Sequence, residues 1–315
     1  GRLVLLCRSV LHLSSSMPIR SLQPPLSLLA SGAVSVWAGA SPLGASANIS
    51  TLCSPVVSSG AFDTFAIQPD GSVVAFGLNY YGSFGTGTTA QSSTPVRAYG
   101  SRGLLVAGIA DQEESSSVLE SNGSVYTAGW DGEGELGDNG THMTSAVPVA
   151  AHVDHIVQVS AGLFHELALR SDGTVWAWGT NNYGEVGTPV GKKIGVPQPV
   201  QVAGPGGPGH LTGVKRIASG DVFSMALAKD GSVWTWGDNS WGELGNGGGS
   251  NSYAPVHVRG ANGVGLLSNI VAIAATNYTA LALRNDGTVW EWGNNDYGKV
   301  GAGTMASPGL PAHVL

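Results

Sequence analysis

The sequence predicts an all-β fold, a β-propeller of about six to seven four-stranded blades. Three observations predict it. A unit of about fifty residues recurs at least five times. Each copy places Asp-Gly or Asn-Gly between two short apolar runs. Glycine, at 48 of 315 residues, is abundant without the every-third spacing of collagen, so it marks many tight turns.

The copies align on Gly71, Gly123, Gly173, Gly231 and Gly287, at intervals of 52, 50, 58 and 56 residues. Those intervals exclude the shorter helical and leucine-rich repeats and suit a propeller blade. Two residues after each marker stands valine, and six after stands glycine. Eight after is Asn79, Asp131, Asn181, Asn239 or Asn295. Eleven and fourteen after are again glycine, with an apolar residue between them from Phe84 to Val300.

Each column has a physical reading. The dipeptide at the marker tolerates positive φ and makes the tip of a β-hairpin. Leu167–Leu169 and Val175–Trp178 are then paired antiparallel strands, apolar on both faces because neighbouring sheets cover them. The later glycines mark a compact loop, whose Asn or Asp bonds nearby backbone groups. A Pro-Val pair, as at Pro95-Val96, Pro148-Val149 and Pro255-Val256, opens an outer strand where a missing N–H costs least. Residues such as Ile156–Val159 supply the fourth strand. One such sheet cannot bury both faces; a closed ring of them can, and an open β-solenoid of fifty-residue coils is the less suitable alternative.

These residues carry a resemblance. The stretch from Asp172 to Gly187 resembles the core signature of the regulator-of-chromosome-condensation repeat, as do Asp230 to Gly245 and Asp286 to Gly301. Asp70 to Gly85 and Asn122 to Gly137 match with Phe76 and Ala128 at the second tryptophan position. Residues 31–44 keep traces in Val34, Trp37, Gly39, Leu43 and Gly44. The resemblance spans about residues 31–315 and implies a seven-bladed propeller. The residues supply five clear units and one faded one. The remaining strands then come from the N-terminal segment, or the ring is open, or the chain is a fragment. Residues 1–30 read either as the remains of a secretory signal or as a closing strand.

Composition narrows function. The net charge is −7 with five lysines, which argues against nucleic acid as the main partner. No apolar run reaches the roughly 18 residues of a membrane helix. Cys7 and Cys53 form neither a metal knuckle nor a disulfide framework. Low lysine and abundant Ser, Thr and Gly are compatible with export and fix no compartment.

The resemblance implies a rigid platform for protein partners, and its members include exchange factors for a small GTPase, a plant ultraviolet-B photoreceptor and secreted β-lactamase inhibitors. The leading expectation is a non-enzymatic interaction scaffold without a cofactor. A secreted carbohydrate-binding or glycan-active propeller is the alternative, and an acidic funnel at one end of the axis would favour it. GTPase exchange is a third reading, which wants a basic tail and an inserted wedge; the longest insert, Thr188–Gly213, holds Lys192 and Lys193. Photoreception wants exposed tryptophans, whereas Trp176, Trp178, Trp234, Trp236, Trp290 and Trp292 all read as buried.

No catalytic or metal-ligating set is read. Glu135, Glu185 and Glu243 share a column with Ser83 and Lys299, and so read as solvated loop residues. His152, Asp154 and His155 read as an exposed cluster lacking the convergence a metal needs. His165 has no histidine counterpart in the other copies. The column ten residues after the marker is the candidate binding site. Tyr81, Tyr183, Trp241 and Tyr297, with Glu133 in the remaining copy, form an arc on one side of the ring. Such rings either pack on their own loops or make a rim for a partner.

Overall fold

The computed structural model of the protein describes residues 57–100, 105–140, 142–189 and 195–315. The readings of residues 1–30 and 31–44 therefore lie outside the described residues.

Five antiparallel four-stranded sheets follow one another, each in simple up-and-down order. The first holds β1 (Val57–Ser59), β2 (Asp63–Ile67), β3 (Val73–Gly77) and β4 (Ser92–Ala98). The second holds β5 (Val106–Asp111), β6 (Ser115–Glu120), β7 (Val125–Trp130) and β8 (Thr144–Ala150). The third holds β9 (Ile156–Ala161), β10 (His165–Arg170), β11 (Val175–Thr180) and β12 (Gly195–Gln201). The fourth holds β13 (Val214–Ser219), β14 (Phe223–Ala228), β15 (Val233–Gly237) and β16 (Ser252–His257), and the fifth β17 (Ile270–Thr276), β18 (Thr279–Arg284), β19 (Val289–Gly293) and β20 (Ala312–His313). Helix is confined to two three-residue turns among the described residues. The all-β propeller architecture is thus observed. Five blades are described, against the six to seven expected.

The first strands β1, β5, β9, β13 and β17 touch in succession, and together line a central channel of about 280 Å³. Each blade therefore has an inner strand on the axis and an outer strand at the rim. The turn between first and second strands lies beside the long loop after the third, since Leu78 N–H donates to Phe62 O and Thr180 N–H to Phe164 O. That end is the loop face. The Asp-Gly and Asn-Gly hairpins occupy the opposite, hairpin face.

The hairpin tips are built differently from the expectation. Gly71 N–H donates to Gln68 O, so the turn ends on a glycine at φ +79°, and only the glycine takes positive φ. That is a type I turn closed by a left-handed glycine. The preceding aspartate acts through its side chain: Asp70, Asp172, Asp230 and Asp286 each accept the backbone N–H and hydroxyl of the Ser or Thr two residues on. Those bonds hold all four carboxyls below the ordinary aspartate range.

Candidate functional site

The loop face is assembled from one repeated device. In every copy the residue eight after the marker is buried and accepts a backbone N–H five residues on: Phe84, Leu136, Val186, Leu244 and Val300 donate to Asn79, Asp131, Asn181, Asn239 and Asn295 at 2.9–3.1 Å. This side chain rounds the loop and aims the aromatic column.

Of the candidate residues, Tyr183 is 43% exposed, Trp241 46% and Tyr297 88%. Tyr81 is half-buried, its ring edge-on to Trp130 of the second blade at 5.0 Å and to Tyr80 at 4.8 Å. Glu133, in the fifth place of that column, accepts the Thr180 hydroxyl at 2.6 Å. One ring of four therefore packs on the neighbouring blade, and three stand in solvent.

The glutamate column is not solvated. Glu135, Glu185 and Glu243 are almost fully buried. Each carboxylate accepts the backbone N–H two residues earlier, from Glu133, Tyr183 and Trp241. Their backbone carbonyls accept the indole N–H of the next blade, from Trp178, Trp236 and Trp292 at 2.7–2.9 Å. Burial raises all three carboxyls to about 7. The column looked tolerant because Ser83 and Lys299 share it, but Ser83 is buried too, bound to Asp63 at 3.0 Å.

The tryptophan reading also needs division. Trp178, Trp236 and Trp292 are fully buried between blades. Trp176, Trp234 and Trp290 point to the other side of the same strands and are only half-buried; Trp234 lies against His257 with ring centroids 3.5 Å apart.

At the axis the loop face narrows to a mouth lined by Asp111, Gln112, Glu113 and Asp221, with a free volume of about 40 Å³. The Asp63 and Asp111 carboxyls lie side by side there against Gly60, whose N–H donates to Asp111 at 2.5 Å. Burial raises Asp63 to about 6, and burial together with the neighbouring Asp63 charge raises Asp111 well above the ordinary aspartate range. Glu166, raised to about 7 by burial, accepts from Ser117 at 2.6 Å and Gln112 at 2.9 Å of the second blade. His165 is fully buried, bonded to Ser224 at 2.9 Å and pushed down to about 3 by burial.

Charge is segregated between the two ends. Glu113, Glu114, Glu133, Asp138, Asp221 and Asp296 lie on the loop face with partial or full access to solvent. Among the described residues, Lys299 is the one lysine or arginine on that face. Arg97, Arg170, Lys215, Arg216, Lys229, Arg259 and Arg284 all fall at the hairpin ends of their strands or on that face's connections.

Of the expected exposed cluster, Asp154 is tied to Arg170 at 2.6 Å and to His155 at 3.2 Å. Sequence reasoning missed a different group: Asp131, Asp138 and His142 converge in the second blade. The signal was available, since Asp131 alone stands where the other four copies have asparagine.

Comparisons with known proteins agree with this architecture. One model of the Regulator of chromosome condensation (RCC1) repeat matches residues 156–185, 214–243 and 270–299, and a second matches 172–227 and 230–283. The matches cover the third to fifth blades. The chain is 30% identical over 252 residues to the E3 ubiquitin-protein ligase HERC2 of Homo sapiens, covering 79% of this chain and 5% of that protein. It is 31% identical over 194 residues to the ultraviolet-B receptor UVR8 of Arabidopsis thaliana, covering 61% of this chain and 43% of the receptor. It spans at most about half the length of the first curated relatives it matches. Among solved structures, Prp20p of Saccharomyces cerevisiae, described with its binding to Gsp1p and histones, superposes with a TM-score of 0.69 at 20% identity, over 81% of this chain and 61% of that one. Human WBSCR16 gives 0.68 at 23%, over 81% and 65%. At those identities the likeness is one of fold. With its columns, its four-stranded blades and these matches, the chain belongs to the regulator of chromosome condensation repeat family.

Proposed function

We propose that the protein is a non-enzymatic interaction scaffold whose loop face binds a lysine- and arginine-rich protein surface. The observation that carries the reading is the charge segregation: six accessible carboxylates face one described lysine at that end. Such a field draws in cationic partners and repels a phosphate backbone. Three exposed rings, Tyr183, Trp241 and Tyr297, stand among those carboxylates, and aromatic anchors beside charge are what binding hot spots use. Rigid blades present both at little entropic cost.

The glycan reading is less well supported. The acidic funnel it wants is there, but about 40 Å³ admits a few water molecules and no sugar ring. Asp63 and Asp111 are also too close to act as a separated acid and base.

The test is affinity capture on the full chain, run beside a Tyr183→Ala/Trp241→Ala/Tyr297→Ala variant and a Glu113→Lys/Glu114→Lys variant. Proteins held by the wild type should be basic, released by salt, and lost from both variants. Retention of the same proteins by both folded variants would place binding elsewhere.

A further inference from the structure

We propose that the second blade carries a site for a first-row divalent cation, Zn²⁺ or Mn²⁺, made by Asp131, Asp138 and His142. One loop of this blade departs from its counterparts in the other repeats. In three copies the asparagine amide donates to two backbone carbonyls, nine and eleven residues on. Asn79 reaches Thr88 and Ala90 at 2.9 and 3.2 Å. Asn239 reaches Gly248 and Ser250 at 3.0 and 3.2 Å, and Asn295 reaches Thr304 and Ala306 at 2.8 Å each. The asparagine oxygen meanwhile takes the backbone N–H described above.

Asp131 keeps that second bond, with Leu136 N–H on its Oδ1 at 3.0 Å. Its Oδ2, however, stands where the others carry a donor. The loop now turns an acceptor toward the stretch that elsewhere supplies acceptors. Something positive has to sit between them.

Two further departures occur in the same repeat and nowhere else. Fifteen residues after the marker Asp138 replaces Thr86, Thr188, Asn246 or Ala302, and nineteen after, His142 replaces Ala90, Lys192, Ser250 or Ala306. Both converge on Asp131. His142 Nε2 lies 3.3 Å from Asp138 Oδ2 and 3.7 Å from Asp131 Oδ2, and the three ligand atoms lie within 4.8 Å of one another. Ligand atoms around a tetrahedral Zn²⁺ with bonds of about 2.0–2.2 Å stand roughly 3.3–3.6 Å apart, so little movement is needed.

The protein shapes the site further. Asp138 Oδ1 is taken by Gly140 N–H at 2.7 Å, which fixes the carboxylate and leaves Oδ2 free to ligate. The Asp131 side chain is 2% exposed and that of His142 is 41%, so one ligand is anchored in the blade while the other is reachable from solvent. Two carboxylates and an imidazole suit zinc or manganese better than calcium, and three protein ligands leave a position for water. No other group of three or more such side chains gathers among the described residues.

The decisive variant is Asp131→Asn, which restores the residue of the other four repeats and should therefore fold. Chelator-treated full chain is titrated calorimetrically with Zn²⁺ and, separately, with Mn²⁺ and Ca²⁺. The wild type should bind one equivalent of Zn²⁺ or Mn²⁺ at this site in preference to Ca²⁺ and melt higher with it. Asp131→Asn and His142→Ala should each lose that equivalent, and Asp131→Asn should melt in chelator at or above the wild type. If neither transition metal binds, if calcium binds in preference, or if Asp131→Asn binds with unchanged stoichiometry and affinity, the proposal fails and His142 is an ion-pair partner only.

Discussion

The interface between the first two described blades and the three that follow it solve one problem with different side chains. At the later three, an indole fills the gap and donates to a glutamate carbonyl of the preceding blade. The glycine that follows that carbonyl by two residues is required there, because a Cβ on Gly137, Gly187 or Gly245 would come within 2.9 Å of the indole nitrogen. At the first interface Ala128 replaces tryptophan. Tyr99, buried and held at φ +58°, lies in the same apolar cluster as Ala128. Its hydroxyl donates to Ser116 O at 2.6 Å, and Ser116 Oγ donates to the carbonyl of Ser83 at 2.6 Å. The acceptor at this position is satisfied in every case, and the volume beside it is filled. The indole is one means among two, and the requirement is the filled, hydrogen-bonded gap.

Truncating an indole tests this most severely. Trp236→Ala removes both the volume and the donor, and should cost about 3–5 kcal/mol in chemical denaturation. A loss below about 1 kcal/mol would show that the gap, and not the ring, was misjudged.

Tyr99→Phe keeps the volume and deletes the hydroxyl that donates to Ser116 O, leaving that carbonyl short of a partner, so it should cost about 1–3 kcal/mol. The sharper measurement is a double-mutant cycle. Ala128→Trp alone overpacks, and Tyr99→Ala alone leaves a void; together each should relieve the other, giving coupling on the order of 1 kcal/mol or more. Additive effects would mean that the two side chains do not share one space.

Glu243→Gln separates the loop's hydrogen bond from its charge. The carboxyl ionises near 4.5 when free and at about 7 when folded, so the folded chain retains the proton across that window. Stability is full below 4.5 and falls as pH rises through 7. Glu135, Glu166 and Glu185 act in the same direction. His165 acts oppositely: pushed from 6.5 to about 3, it withdraws stability as pH falls below 6.5. Four carboxyls outweigh one imidazole, so the wild type should melt highest near pH 4.5 and progressively lower towards pH 8. Glutamine should gain on the order of 1 kcal/mol at pH 8 and nothing at pH 4. A flat melting profile from pH 5 to 8 would refute the assignment.

The smallest effect on folding is expected at the rim. Replacing Tyr183, Trp241 and Tyr297 by alanine should leave thermal unfolding nearly unchanged while partner binding is lost, since exposed side chains add little to stability. A fall of several degrees with binding intact would return these rings to loop packing.

Most of the fold was legible because hairpins are local. The marker glycines, the paired apolar runs and the fully buried indoles all come from contacts close in sequence or repeated in register. Two features were hidden. The burial of Glu135, Glu185 and Glu243 depends on the neighbouring blade, and column comparison alone cannot distinguish a tolerant site from one with several structural solutions. Tyr99 is invisible for a related reason: it meets the need of Ala128 from 29 residues away in the chain, outside the column where a replacement would be sought. The half-buried Trp176, Trp234 and Trp290 were readable in principle, because alternate residues of a strand face opposite sides. The convergence of Asp131, Asp138 and His142 needed the folded loop, although the odd residue in the asparagine column pointed toward it.

The indole-to-carbonyl bond has a direction. Each tryptophan-bearing repeat gives a donor to the blade before it, and the third and fourth also offer an acceptor to the blade after. Donor and acceptor travel together in one stretch of about fifty residues. Among the tryptophan-bearing copies, a duplication or deletion in phase with the repeat therefore leaves the junctions matched. A cut out of phase strands a buried carbonyl on one side or an indole N–H on the other. Blade number in such a chain can drift by whole units while the junction chemistry stays constant, which makes the repeat the smallest piece that a genome can add or remove without penalty at the seams.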